Sequence, residues 1–165
     1  MNQHENLAQE LGNMLKKRNL TISAAESCTG GLFLSALTDI AGSSAYVLGG
    51  AITYSNEVKQ KLVNVQEATL IQHGAVSEET AREMAIGVRD LLKADIGVSI
   101  TGIAGPGGAT PEKPVGLVYI GVVTHKSSQV RKYIWQGNRM ENKQQSVVQA
   151  IQLVVDIINE ETEEQ

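Results

Sequence analysis

Apolar positions recur with two different periods along the chain, and the alternation between them outlines the fold. Leu7, Leu11, Met14 and Leu15 fall at helical spacing, although Gly12 weakens that reading, and the basic run Lys16-Lys17-Arg18 suits a helix C-terminus. Thr21 to Ala25 reads as a short buried strand running into Glu26-Ser27-Cys28-Thr29-Gly30-Gly31, followed by an apolar helix from about Leu32 to Ile40. Tyr46 to Tyr54 has strand character, and Ser55 or Asn56 is placed to cap a short helix carrying Val58, Lys59 and Leu62. Another short helix is expected around Gln66–Gln72, with Gly74 placed to end it. Ser77-Glu78-Glu79 starts the clearest helix, whose apolar face is Ala81, Met84, Ala85, Val88, Leu91 and Leu92. Ile96 to Ile100 predicts a strand that delivers the chain into the glycine-rich run Thr101–Gly108. Val115 to Val123 and Val130 to Trp135 then read as a hairpin, and Val147, Val148, Ile151, Val154, Val155 and Ile158 as a final helix. The acidic tail, residues 160–165, is expected to fray.

Helices and strands intermix, with crossover units and one hairpin, so the layer rules predict an α/β fold: a three-layer α/β/α sandwich on a mixed sheet. The 165 residues suit a single domain, residues 1–165. Hydrophobic residues make up 42% and aromatic residues only 4%, so the core must be aliphatic. The net charge of −4 argues against a nucleic-acid or anionic-membrane surface, but leaves room for a local basic pocket. No apolar run approaches the ~20 residues of a membrane span, and the N-terminus lacks a signal-peptide pattern, so a cytoplasmic protein is expected. The one cysteine cannot form an internal disulfide, and the three histidines show no metal-ligand spacing.

Sites in such sheets collect at the carboxyl ends of strands, and three loops qualify, beginning at Glu26, Tyr54 and Thr101. Ser27 is either a nucleophile beside backbone amides that could hold an oxyanion or, more commonly for such a serine, a helix N-cap. Cys28 is a second nucleophile or a small residue packed under the loop. Lys59 is a solvated surface group or, in a desolvated cleft, a general base, and Tyr54 is a half-buried ring or a catalytic group. The Thr101–Gly108 loop either surrounds a phosphate with amides or simply connects, since it matches neither phosphate-loop nor dinucleotide motifs. Arg139 and Lys143, four apart at the opening of the last helix, share a face and either contact a phosphate or stay solvated.

Several motifs occur in order: Glu26–Gly31, Asp39-Ile40-Ala41-Gly42-Ser43-Ser44, Thr53-Tyr54-Ser55-Asn56, His73-Gly74-Ala75-Val76-Ser77, Thr101–Pro106 and Lys113-Pro114-Val115-Gly116. Together they resemble the CinA C-terminal family, whose characterised activity is nicotinamide mononucleotide deamidation. The likeness runs from about Leu7 to Ile158 and is closest to the stand-alone form, because 165 residues leave no room for an additional N-terminal domain. The resemblance implies hydrolysis of the carboxamide of nicotinamide mononucleotide to nicotinic acid mononucleotide and ammonia, without metal or cofactor, by a homodimer or larger homo-oligomer. It places Ser27 as nucleophile, Lys59 as general base and Tyr54 beside them, orienting the lysine or relaying the proton. Thr29, Gly30 and Gly31 then supply the oxyanion hole, while Thr101, Gly102, Gly105 and Arg139 hold the nucleotide. Family members often carry Gly-Asp-Arg and a second arginine four positions on, where this chain has Gly137-Asn138-Arg139 and Lys143. A nucleotide sensor that keeps the pocket without turnover is the competing expectation, and another small-amide or phosphate-ester hydrolase on the same scaffold is a third.

Overall fold

The computed structural model describes residues 3–164. The chain runs α1 (Gln3–Arg18), β1 (Ile22–Glu26), α2 (Leu32–Thr38), a 3₁₀ turn at Ser43–Ala45, β2 (Val47–Ile52), α3 (Asn56–Val63) and α4 (Glu67–His73). It continues through α5 (Glu78–Leu92), β3 (Ile96–Gly102), β4 (Leu117–Val123), β5 (Ser128–Ile134) and α6 (Arg139–Glu163). The five strands form one sheet in the order β2-β1-β3-β4-β5. β1 lies parallel to both β2 and β3, and β3-β4-β5 is an antiparallel meander. The sheet is therefore mixed, as the sequence predicts.

Two layers of helices cover it. α1, α2 and α6 pack together on one face, where Leu11, Leu15, Phe33, Leu37, Ile151 and Val154 meet the inward residues of the strands. α5 lies across β1, β3 and β4 on the other face with α3 and α4 beside it, burying Val63, Val65, Met84 and Val88. Adjacent residues of β1 join opposite layers: Ala24 belongs to the first cluster and Ala25 to the second. That is the period-two signature of a strand covered on both sides.

Side chains at the helix ends explain where the elements start. Ser77 accepts the Thr80 amide at 3.2 Å and starts α5, with Glu78 and Glu79 in the first turn favouring the positive end of the helix. Asn138 and Glu141 form a reciprocal capping box at the start of α6 (2.9 and 2.7 Å). The acidic tail differs from expectation: α6 continues through Glu163 instead of fraying from residue 160. The reason is an anchor invisible to periodicity, because Glu161 accepts hydrogen bonds from Thr124 Oγ1 and Ser127 Oγ in the β4–β5 turn. Among the described residues, no helix is long and apolar enough to cross a membrane.

Candidate active site

The site begins with the turn after β1. Ser27 donates its amide to the carbonyl of Ile100 on β3 at 2.9 Å, which holds the turn against the sheet. Glu26, fully buried, turns its carboxyl toward α2 and accepts from Thr29 Oγ1 (2.6 Å), Phe33 N (2.9 Å) and Leu34 N (3.2 Å). The first-turn donors of α2 are thus satisfied by an acid seven residues upstream rather than by a local cap. The N-cap position itself belongs to Gly31, whose φ of 104° is in the left-handed region that only glycine adopts cheaply. This decides one alternative for Ser27: it is not the cap of α2, and its hydroxyl is left for another partner.

That partner is Lys59. Ser55 caps α3 by accepting the Val58 amide at 3.2 Å, and Lys59 follows one turn later on the helix's inner face. Only 1% exposed, its Nζ donates to Thr53 O at 2.7 Å, Tyr54 O at 3.0 Å and Ser27 Oγ at 3.2 Å. Burial lowers its pKa from 10.5 to about 8. Burial also pushes the neighbouring Cys28 thiol up to about 12, only partly countered by a backbone hydrogen bond at Cys28 and by the charges of Lys143 and Lys59, while Glu26 adds to the rise. The two candidates differ in setting, since the Ser27 hydroxyl is hydrogen-bonded to the Lys59 amine and the thiol is held protonated.

A cleft of about 250 Å³ opens onto this pair. Ser27, Tyr54, Lys59, Thr101, Gly102, Gly105 and Arg139 all line it, together with Cys28, Val76 and Ile103. Thr29, Gly30 and Gly31 do not. Thr29 spends its hydroxyl on Glu26, Gly30 donates its amide to Ser27 O at 3.2 Å, and Gly31 starts α2, so all three build the turn from behind. Tyr54 contributes its carbonyl to Lys59, while its ring stands 63% exposed at the mouth. Thr101 is buried, with Oγ1 donating to Ala75 O at 2.8 Å, which ties the strand end to the segment before α5. Arg139 reaches from the start of α6 to Gly105 O at 2.8 Å.

One contributor escaped the sequence reading. Asn142 is 1% exposed; its Nδ2 donates to Ala104 O (3.0 Å) and its Oδ1 accepts the Gly137 amide (3.0 Å). It fastens the cleft loop to the first turn of α6. The signal was present, because Asn142 and Ser146 are polar residues on the face that Ala150 and Val154 assign to the interior. Among the described residues, no group of three His, Cys, Asp or Glu side chains is placed to hold a metal ion.

The CinA C-terminal domain family matches residues 4–158. A CinA-like protein of Chloroherpeton thalassium is 50% identical over 157 residues, covering 93% of this chain and 37% of its own length. One from Desulforapulum autotrophicum is 50% identical over 146 residues, covering 88% and 34%. The chain thus spans about a third of the length of these curated relatives. Among solved structures, the competence/damage inducible protein CihA of Agrobacterium tumefaciens superposes with a TM-score of 0.90 at 39% identity, over 96% of this chain and 97% of that one. A CinA superfamily protein of Klebsiella pneumoniae gives a TM-score of 0.93 at 30% identity, over 96% and 99%.

Proposed function

This chain belongs to the CinA C-terminal domain family, and we propose that it is an amidohydrolase converting nicotinamide mononucleotide to nicotinic acid mononucleotide and ammonia. One observation carries the reading: buried Lys59 Nζ stands 3.2 Å from Ser27 Oγ, with its other two contacts on the carbonyls of Thr53 and Tyr54. Carbonyls only accept. A neutral lysine therefore spends its two N–H bonds on them and turns its lone pair toward the one partner that can donate, the Ser27 hydroxyl. Deprotonating Lys59 assembles a base already aimed at the nucleophile. With a pKa of about 8, about a tenth of the lysine is neutral at pH 7.

Ser27 Oγ attacks the carboxamide carbon as its proton passes to Lys59. The oxyanion needs donors, and the Ser27 and Gly30 amides are engaged with Ile100 and Ser27 carbonyls. We assign that role to the amide of Cys28, which lines the cleft beside Ser27, worth ~3–4 kcal/mol in the transition state. Lys59 returns the proton to the departing nitrogen, ammonia leaves, and water attacks the acyl ester with Lys59 again as base. The Tyr54 phenol is absent from the contacts of Lys59, so its share in the reading is the carbonyl that orients the amine. Arg139, with Thr101, Gly102 and Gly105 shaping the cleft, faces the ribose phosphate. Although the chain is acidic overall, Lys59 and Arg139 are the charged residues of the cleft lining.

Ammonia release from nicotinamide mononucleotide by purified protein, with a chelator present, tests the proposal. Turnover is expected, and about 10³-fold or greater loss in Ser27→Ala and in Lys59→Met, with both variants shown to be folded by a cooperative thermal melt. Binding without ammonia release would establish the sensor reading instead.

A further inference from the structure

We infer that Lys59 is also the seat of the product carboxylate, so that the acid product is held by a buried ion pair that the amide substrate cannot form. The inference rests on the deamidase reading above. Its basis is positional. In the attack geometry the reacting carbon bonds to Ser27 Oγ, and Lys59 Nζ lies 3.2 Å from that oxygen. After hydrolysis the same carbon carries two oxygens sharing a negative charge, within reach of the one N–H of the ammonium that does not point at a carbonyl. Before hydrolysis the group there is a neutral carboxamide.

The surroundings leave the ammonium as the counter-ion. Among the described residues, no Asp or Glu lines the cleft. From the turn after β1, the group facing Lys59 is the Cys28 thiol, which stays protonated; Glu26 beside it is turned away into the start of α2. From the loop between β2 and α3 come the two carbonyls and the Tyr54 ring. From α6, Arg139 lines the cleft and Lys143 adds positive charge felt at Cys28. A carboxylate in this buried place without its cation would be strongly disfavoured. The site is therefore two-faced: neutral Lys59 is the form that starts the reaction, and protonated Lys59 is the form that retains its product. Acid conditions slow the chemistry and strengthen product inhibition together.

The test uses full-length protein and two probes, nicotinamide mononucleotide and nicotinic acid mononucleotide, titrated calorimetrically into Ser27→Ala between pH 6.5 and 9.5. Both probes carry the same phosphate, so its titration and the contribution of Arg139 cancel in the ratio of their affinities. The acid is expected to lose affinity relative to the amide by about thirtyfold across this range, approaching tenfold per pH unit once Lys59 is neutral. Its binding at pH 9 should take up a proton. Lys59→Met/Ser27→Ala should flatten the ratio. The product-inhibition constant of the wild-type enzyme, measured over the same pH range, gives the answer independently of the variants. Parallel pH profiles for the two probes, or a pH-dependent ratio that persists without Lys59, would overturn the inference. Failure of the wild type to release ammonia from the amide would instead overturn the deamidase reading itself.

Discussion

Lys59 Nζ bonds Ser27 Oγ across 32 residues of chain, and the contact is buried at both ends. It exists because the two residues leave neighbouring parallel strands, Ser27 directly after β1 and Lys59 on the helix that follows β2. Neither residue is unusual in its local sequence. Their chemistry arises from being brought together out of water.

The first consequence concerns pH. Lys59 titrates at about 8 in the folded chain against 10.5 for an ordinary lysine. Deamidase kcat/KM should therefore rise through pH 8 and level off as the base becomes neutral. Between these two values the unfolded chain holds more protons than the folded one, so the Lys59 contribution to stability increases with pH across that window. The gain is on the order of 3 kcal/mol. Denaturant unfolding at pH 7.5 and 10 compares wild type with Lys59→Met, in which that increment should vanish.

Cys28 should be chemically quiet despite adjoining the nucleophile. With its thiol pushed up to about 12, native protein at pH 8 should resist iodoacetamide until denaturant is added, as followed by mass spectrometry. Cys28→Ala should keep turnover within about threefold, because no step of the proposed reaction uses the sulfur.

A third prediction concerns the α1 layer. A Cβ at Gly12 would come within 2.6 Å of the hydroxyl of Tyr46, a fully buried side chain whose oxygen has no hydrogen-bond partner among the described residues. Gly12→Ala should cost about 1–3 kcal/mol through overpacking, despite the better helix propensity of alanine. Tyr46→Phe removes the unsatisfied oxygen and should be neutral or stabilising. The double variant should recover much of the loss, which a thermodynamic cycle of thermal unfolding would measure.

Asn142→Ala removes the bonds to Ala104 O and Gly137 N and leaves both backbone groups short of a partner. A stability loss of about 1–3 kcal/mol is expected. The cleft loop loses its fastening to α6, so KM for the nucleotide should rise several-fold with a smaller change in kcat. Steady-state kinetics beside a thermal melt would separate the two effects.

Most of the fold was legible because its signals are local. Ser77 with two following acids, and the short buried run of Ile22–Glu26, act within a few residues. What was hidden depends on contacts between distant segments. Gly12 reads as a weak helical residue until Tyr46 is found beneath it, and the tail reads as frayed until Glu161 meets Thr124 and Ser127. The same divide runs through the site. Motif likeness brought Ser27, Tyr54, Lys59, Thr101, Gly102, Gly105 and Arg139 to one cleft. It could not tell that Tyr54 serves Lys59 through its backbone, nor that Thr29, Gly30 and Gly31 stand behind the turn, because a sequence pattern does not distinguish a residue that faces a ligand from one that shapes the wall.

The pairing of β1 with β2 has a final implication. Glu26 stands opposite Ile52, and the Thr53 amide continues the ladder to Glu26 O at 2.8 Å. The sheet thus works as a ruler, setting the gap between hydroxyl and amine by interstrand spacing rather than by either loop. Sliding β2 by two residues would keep every side chain on its own face yet carry the amine about 7 Å along the strand axis, out of contact. Changes in the surrounding loops can therefore reshape the cleft while the Ser27–Lys59 pair keeps a fixed gauge.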